Sequence, residues 1–404
     1  MWYGDKTMQK VNTDGEKIKE LLSRGVEEVF IKDDLEKELL SGKELRVKLG
    51  IDPTSTKIHL GRAIPLRKLR AFQNLGHKVV FIVGDFTAQV GDPSDKLEKR
   101  PMLTRAQIDE FMKDYKAQVG KIINLENAEF VYNGDWLKRL GFQEIGELAE
   151  SFTVQQMLAR RNFKERLDKG VEISLRELLY PLMQGYDSVA VEADVELGGF
   201  DQLFNLKAGR VIQEHYGKKP QNILITQMIE GIDGRKMSSS WGNIISIVDE
   251  PADMFGKIMA LEDSLIIKYF TLCTEVSLDE IKTIENGIKN GDNPRDVKMR
   301  LATEIVRLYH NEKEAELAKN VFVKVFQEKQ IPETMHEVKL GDGETLVDAL
   351  VREGLVASKS YWHRLITEGA VKINGEETVD DPKFKPGGEC VLKIGKRRFA
   401  RIIP

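Results

Sequence analysis

The chain has 404 residues, of which 41% are hydrophobic and 31% charged, with a formal net charge of −4. That composition excludes collagen-like, low-complexity and wholly disordered chains, and the length suffices for two or three domains with a sizeable core. The longest apolar run (Val79 to Val83) cannot cross a bilayer, Met1 to Glu20 lacks a secretory apolar stretch, and Cys273 and Cys390 make neither a disulfide framework nor a CxxC metal pattern, so a reducing cytoplasm is expected.

Residues 1–245 alternate short β-rich runs with helical patterns. Leu45, Val47 and Leu49 follow a period of two, and Val79 to Val83 is a continuous apolar strand of the kind covered on both faces. Glu129 to Tyr132, Ala193 to Leu197 and Asn222 to Ile225 read as further strands. Helices are expected over Leu60 to Leu75, Thr104 to Ile123, Leu175 to Val189 and Asp201 to His215. This alternation predicts an α/β fold with a doubly wound, Rossmann-type parallel sheet, which binds ligands beyond the carboxyl ends of its strands.

Residues 246–328 read as all-helical, with Asn293-Pro294 opening a helix striped by Val297, Leu301, Ile305 and Leu308. Residues 329–342 read as a linker, and 343–404 as a small α+β unit. Its two helices precede a hairpin, Val371 to Val379, around a type I′ turn at Asn374-Gly375. From Lys383 to Arg401 seven basic residues stand against one acid, so a local tail can find phosphates although the whole chain is acidic.

Three groups of residues carry chemistry. Gly50-Ile51-Asp52-Pro53-Thr54 and then His59-Leu60-Gly61-Arg62 run from a strand end into a helix start, a place for an anion. Gly231 to Ser240, with Arg235-Lys236-Met237-Ser238-Ser239-Ser240, suits a mobile phosphate-gripping loop. Between them Tyr180, Gln184 and Asp187 share one helix face among apolar neighbours, so they need partners, either a bound polar ligand or an internal network. Ser174 and Glu177 form a capping box, and Pro181 is expected to kink or restart this helix.

The first two groups resemble the HIGH and KMSKS elements of class I aminoacyl-tRNA synthetases. The pattern Tyr180-x-x-x-Gln184-x-x-Asp187, then Gly198-Gly199-Phe200-Asp201-Gln202, resembles the bacterial tyrosyl-tRNA synthetase family, as do Asp85 to Ser94, Asn162-Phe163-Lys164 and Asp249 to Lys257. Ser358-Lys359-Ser360 through Gly375 resembles an S4-type RNA-binding module. The resemblance implies a Rossmann-type, HUP-like catalytic domain, an anticodon-binding helical domain and an S4-like domain. It implies activation of L-tyrosine with ATP and Mg2+, transfer to tRNA(Tyr), a homodimer, and no protein-bound metal.

Residue by residue, the resemblance implies that Asp187 accepts from the phenol, with Lys48 standing where many members carry a second phenol-binding tyrosine. Tyr180, Gln184 and Asp92 hold the ammonium, and Gln202 orients the carboxylate. Gly50, Asp52, Thr54, Gly61, Gly199 and Asp201 line the adenylate, with Met237 beside them. His59, Lys236, Ser238 and Ser239 meet the phosphates, joined by Lys96 and Arg100 from a second loop, and Arg62 stands where the family has its second catalytic histidine. Lys359, Arg364, Lys372, Lys393, Lys396, Arg397 and Arg398 contact RNA. Arg62, Ser239, Lys48, Phe200 and Asp95 depart from the family pattern. Two alternatives follow: a paralogue that activates a tyrosine analogue or serves another acceptor, and a catalytically dead RNA-binding protein.

Overall fold

The computed structural model describes residues 11–94, 102–326, 335–341, 343–374, 377–395 and 398–403. It divides into two compact units, Met1–Val248 with Ser264–Asn290, and Asp249–Asp263 with Gly291–Pro404.

The first unit is built on six strands: β1 (Val26–Phe30), β2 (Arg46–Ile51), β3 (Lys78–Val83), β4 (Ala128–Tyr132), β5 (Val195–Gly199) and β6 (Asn222–Thr226). Their order is β1-β6-β5-β2-β3-β4. All neighbours are parallel except β1, an edge strand whose Val-Glu-Glu-Val pattern alternates too weakly to stand out in sequence. From β2 the chain winds outward through β3 to β4, and from β5 it winds the other way to β6. The β2–β5 seam is therefore the topological switch point, where an open α/β sheet leaves a crevice.

Two helices of this unit depart from expectation. Leu175–Ala190 runs unbroken through Pro181. Its first turn is locked by the Ser174–Glu177 capping box and by a buried ion pair, Arg166 to Glu177 at 2.7 Å, so the segment ahead of the proline stays helical. The stretch from Thr104 to Ile123 is two helices, Arg105–Met112 and Tyr115–Gly120. The break turns the Gln118 amide onto the loop after β2, where it accepts from Ile58 N (2.8 Å) and donates to Thr56 O (2.7 Å).

Ser264–Asn290, expected in the helical domain that starts at 246, packs instead with the first unit. Tyr269 Oη donates to Glu230 O (2.6 Å), Lys268 pairs with the Glu230 carboxylate (2.9 Å), and Arg67 donates to Thr274 O (2.6 Å).

The second unit holds helices Pro251–Met259, Pro294–Tyr309, with Asn293 as N-cap and Pro294 at N1, and Glu312–Phe326. It also holds a sheet of β7 (His336–Lys339), β8 (Val371–Ile373), β9 (Glu377–Thr378), β10 (Cys390–Ile394) and β11 (Arg398–Ile403), ordered β7-β11-β10-β8-β9. β7 lies in the expected linker, and β10 and β11 lie in the expected basic tail. Leu392, Ile394, Ala400 and Ile402 face inward there beside Trp362, while the intervening lysines and arginines face out and hide the alternation. Asn374 has φ +48°, as a type I′ turn requires; Gly375 lies outside the described residues.

Candidate active site

At the carboxyl ends of β2, β3, β5 and β6 lies a cavity of about 420 Å³. It brings together Gly50, Asp52, Thr54, His59, Gly61 and Arg62, then Asp92, then Tyr180, Gln184 and Asp187, then Gly199, Asp201 and Gln202, and finally Lys236, Met237, Ser238 and Ser239. Asp95, Lys96 and Arg100 lie outside the described residues. Two residues do not line it. Phe200 is 52% exposed, and Lys48 is buried beneath the floor in an ion pair with Glu196 at 3.1 Å.

Asp187 is buried on the inner face of helix Leu175–Ala190. Its Oδ1 accepts from Trp136 Nε1 (2.8 Å) and its Oδ2 from Asn133 Nδ2 (3.3 Å). Burial pushes its carboxyl up to about 7, opposed by the charge of Lys48 and by those two hydrogen bonds, with Glu196 pushing the same way as burial. Trp136 and Asn133 carry no motif, and the sequence gives no signal for them beyond the demand that a buried carboxylate have donors.

Two turns earlier, Tyr180 Oη donates to Asp52 Oδ2 (2.9 Å), while Asp52 Oδ1 accepts from Thr87 Oγ1 (2.7 Å). Burial and these acidic neighbours push the Tyr180 phenol well above its ordinary value. Gly84 permits the arrangement, since a Cβ there would stand 2.0 Å from Asp52 Oδ1. On the far wall Asp92 accepts from Gln202 Nε2 (2.6 Å) and from Ser94 N (3.0 Å) and Oγ (2.6 Å). Behind it Arg160 holds Ser94 Oγ (2.8 Å) and stacks on Phe163 and Phe204, and Asn162 Nδ2 ties down Pro93 O (2.7 Å). The Asn162-Phe163 motif thus braces the loop that carries Asp92.

The opposite end of the cleft is cationic. His59 caps helix Leu60–Asn74; burial, then Arg62 and Lys236, lower its imidazole to about 3, so it is neutral. Arg62 donates to Thr54 Oγ1 (2.6 Å), and Lys236 Nζ meets Asp201 Oδ2 at 2.9 Å. Gly61 N approaches Met237 Sδ at 3.3 Å, linking the two sequence clusters directly. The loop itself is pinned by Asn243, which accepts from Ser238 N (2.8 Å) and donates to Asp233 Oδ1 (2.7 Å). Gly231 makes room, for a Cβ there would lie 2.2 Å from Asn243 O.

In the second unit Lys372 and Lys393 are directly opposed on β8 and β10, and Lys393 is paired on its other side with Phe399, whose ring lies 5.7 Å from its Nζ. Lys359 pairs with Asp348 (2.6 Å), and Arg364 stacks on Tyr361. Arg398 donates to Leu355 O (2.6 Å), an internal role. Lys396 and Arg397 lie outside the described residues. Among the described residues no group of three or more His, Cys, Asp or Glu could hold a metal ion, and no helix is long and apolar enough to cross a membrane.

A family model for class I tRNA synthetases (W and Y) matches residues 40–327. A tyrosine–tRNA ligase of Thermotoga maritima is 48% identical over 394 residues, covering 96% of this chain and 98% of its own. One from Carboxydothermus hydrogenoformans is 44% identical over 399 residues, covering 95% and 97%. Among solved structures, a C-terminally truncated mitochondrial tyrosyl-tRNA synthetase of Aspergillus nidulans aligns with a TM-score of 0.64 at 21% identity, over 77% of this chain and 94% of that one. A tyrosyl-tRNA synthetase of Archaeoglobus fulgidus complexed with L-tyrosine aligns at 0.61 and 22%, over 76% and 100%. At those identities the structural likeness is one of fold.

Proposed function

The chain belongs to the tyrosine–tRNA ligases of the class I tRNA synthetases, and from that premise we propose how its cleft divides the work. Tyrosine enters phenol first. Its hydroxyl donates to Asp187, and its ammonium sits among Tyr180, Gln184 and Asp92, where carboxylate and amide oxygens accept charge-assisted hydrogen bonds. Gln202 orients the carboxylate toward ATP, whose ribose meets Asp201 and whose adenine lies along Gly50, Gly61 and Met237.

A carboxylate oxygen of tyrosine then bonds to the α-phosphorus of MgATP as the bond to the β-phosphate oxygen breaks. Pyrophosphate leaves with its magnesium. In the second step a ribose hydroxyl of the terminal adenosine of tRNA(Tyr) attacks the tyrosyl carbonyl, and AMP departs. No side chain becomes covalently attached, so the protein contributes alignment and charge stabilisation. His59, Arg62, Lys236, Ser238 and Ser239 face the charge that builds on the phosphates.

One observation carries this reading: a buried carboxylate with two fixed donors stands at one end of a cavity whose other end gathers His59, Arg62 and Lys236. Phenylalanine would leave Asp187 desolvated and without its third partner, a large penalty. Discrimination between these two amino acids by this family is a known example of that asymmetry. A preference for a tyrosine analogue has no support from Phe200, which lies outside the cavity wall. A dead scaffold has no use for the assembled site.

The second unit binds tRNA. Opposed lysines on adjacent strands repel unless an anion lies over them, and Phe399 beside them offers a stacking face. The chain works in the cytoplasm as a homodimer. Exposed Phe142, Val154, Leu167 and Leu175, all between β4 and β5, support a self-association face.

ATP–pyrophosphate exchange with each natural amino acid in turn tests the reading. Tyrosine-dependent exchange, lost in Asp187→Ala, is expected. Exchange with another amino acid, or tyrosine exchange that survives the substitution, overturns it.

A further inference from the structure

Lys48 and Glu196 face each other across the β2–β5 seam. They are register partners, their charged atoms are 3.1 Å apart, and each side chain is 1% exposed. Lys48 Nζ also donates to Ser188 Oγ (2.7 Å) and Gln184 O (3.1 Å). Glu196 Oε1 accepts from Gln184 Nε2 (3.2 Å), and its Oε2 accepts from Ser188 Oγ (3.3 Å) and from Gln221 Nε2. Neither residue lines the cavity.

Both nevertheless act on residues that do. Gln184 donates from its amide nitrogen to Glu196, which leaves its Oε1 for the cavity that Gln184 lines. Of the charges acting on Asp187, Lys48 is the leading one that favours the carboxylate, and Glu196 opposes it. The other titratable groups near this end are Tyr180 on the same helix and, beyond it, Asp52 and Asp92. On the helices packed against Leu175–Ala190, Asp135, Glu144, Glu147, Glu150, Lys207, Glu214 and His215 are exposed, and Arg210 stacks on Phe30. A buried ion pair seldom adds net stability over an apolar pair of similar volume, so its presence at the switch point needs another account.

We propose that Lys48 and Glu196 are a positioning pair for the phenol end of the pocket: Glu196 sets the orientation of the Gln184 amide, Lys48 supplies the positive charge that Asp187 faces, and selection of tyrosine depends on two residues that never touch it. The inference rests on the assignment of Asp187 as phenol acceptor. It gives Lys48 a different part from direct contact with the phenol.

The test is the pH profile of kcat/KM for tyrosine in ATP–pyrophosphate exchange, between pH 5.5 and 9, with the full-length protein. Lys48→Met moves the acid limb to higher pH, by about tenfold or more in proton concentration, because an opposite charge has been removed from a buried carboxylate. Activity at pH 6.5 then falls in the same proportion, about tenfold for each pH unit the limb travels. Glu196→Gln moves the limb downward while its amide oxygen still accepts from Gln184, and the double variant returns it toward the parent. A merely structural pair changes stability and leaves the limb in place. Unmoved limbs in folded Lys48→Met and Glu196→Gln overturn the inference; should Lys48→Met not fold, an unmoved limb in Glu196→Gln does so alone. Asp187→Asn, run alongside, separates the two failures. Tyrosine use that survives it overturns the acceptor assignment and this inference together, whereas tyrosine use lost there with unmoved limbs overturns the inference alone.

Discussion

Asp187→Asn should make the ligand-free protein more stable at pH 8 while removing its preference for tyrosine. Asp187 is 4% exposed, and its carboxyl is raised from 3.8 to about 7, chiefly by burial. Its folded value therefore lies above its unfolded one, and between about pH 4 and pH 7 the native state binds the proton that the unfolded chain releases. Stability falls as pH rises through that window, and the penalty is complete above it. At 1.36 kcal/mol per pH unit, a window about three pH units wide amounts to about 4 kcal/mol. The hydrogen bonds from Trp136 and Asn133 already act within that balance. Asn has the shape of the protonated acid and carries no charge at any pH. Its Nδ2 cannot accept from Asn133 as Oδ2 does, a cost that does not change with pH, so the variant should start below the parent near pH 4 and gain about 4 kcal/mol on it by pH 8. Urea unfolding of both proteins without ligand, repeated across pH 4 to 8, measures this. A difference that stays flat with pH would refute the reasoning. Tyrosine at 100 times the parent's Kd should then return about 2.7 kcal/mol to the parent and less to the variant.

Three further outcomes follow from the geometry. Lys236→Ala removes the cation that meets Asp201 at 2.9 Å; the rate of adenylate formation should fall by about 10²-fold with tyrosine affinity retained, read by stopped-flow fluorescence and equilibrium dialysis. Arg166→Met strands Glu177 in a fully buried site and should cost about 3–5 kcal/mol in urea unfolding, most of it recovered by adding Glu177→Leu. Lys372→Glu with Lys393→Glu should weaken tRNA binding and flatten its logarithmic salt dependence by about two, measured by filter binding over a salt series.

What the sequence discloses is what local chemistry forces. The Tyr180, Gln184 and Asp187 stripe stands out because polar residues at helical spacing on a buried face demand partners, and all three line the cavity. His59 and Lys236 stand out because glycines, hydroxyls and cations gather around them. Trp136 and Asn133 do not, although they hold Asp187 in place, since they meet it only through the fold across more than fifty residues. The same holds for Glu196: a lone acid in an apolar strand has meaning only when β2 lies beside β5 and sets Lys48 opposite it. β10 and β11 are lost for another reason, because outward lysines and arginines swamp the period of two that Leu392, Ile394, Ala400 and Ile402 keep.

On the proposed assignment the charges of the cleft are sorted before any substrate arrives. Asp92 and Asp187 belong to the amino-acid end, with Asp52 joining it through Tyr180, and at the nucleotide end the cations Arg62 and Lys236 stand beside a neutral His59, with Asp201 already paired to Lys236. Each acid is meanwhile engaged by a protein group: Tyr180 on Asp52, Gln202 on Asp92, Trp136 and Asn133 on Asp187. These contacts keep buried polar atoms satisfied without closing off every lone pair, since a carboxylate accepts at about four sites. Tyrosine then adds a donor to groups already oriented, which spares the cost of ordering them on binding. An ammonium cannot lodge among the cations, nor a triphosphate among the acids. The polarity of the cleft thus leaves one orientation in which the carboxylate of tyrosine faces the α-phosphorus, and that orientation is the reactive one.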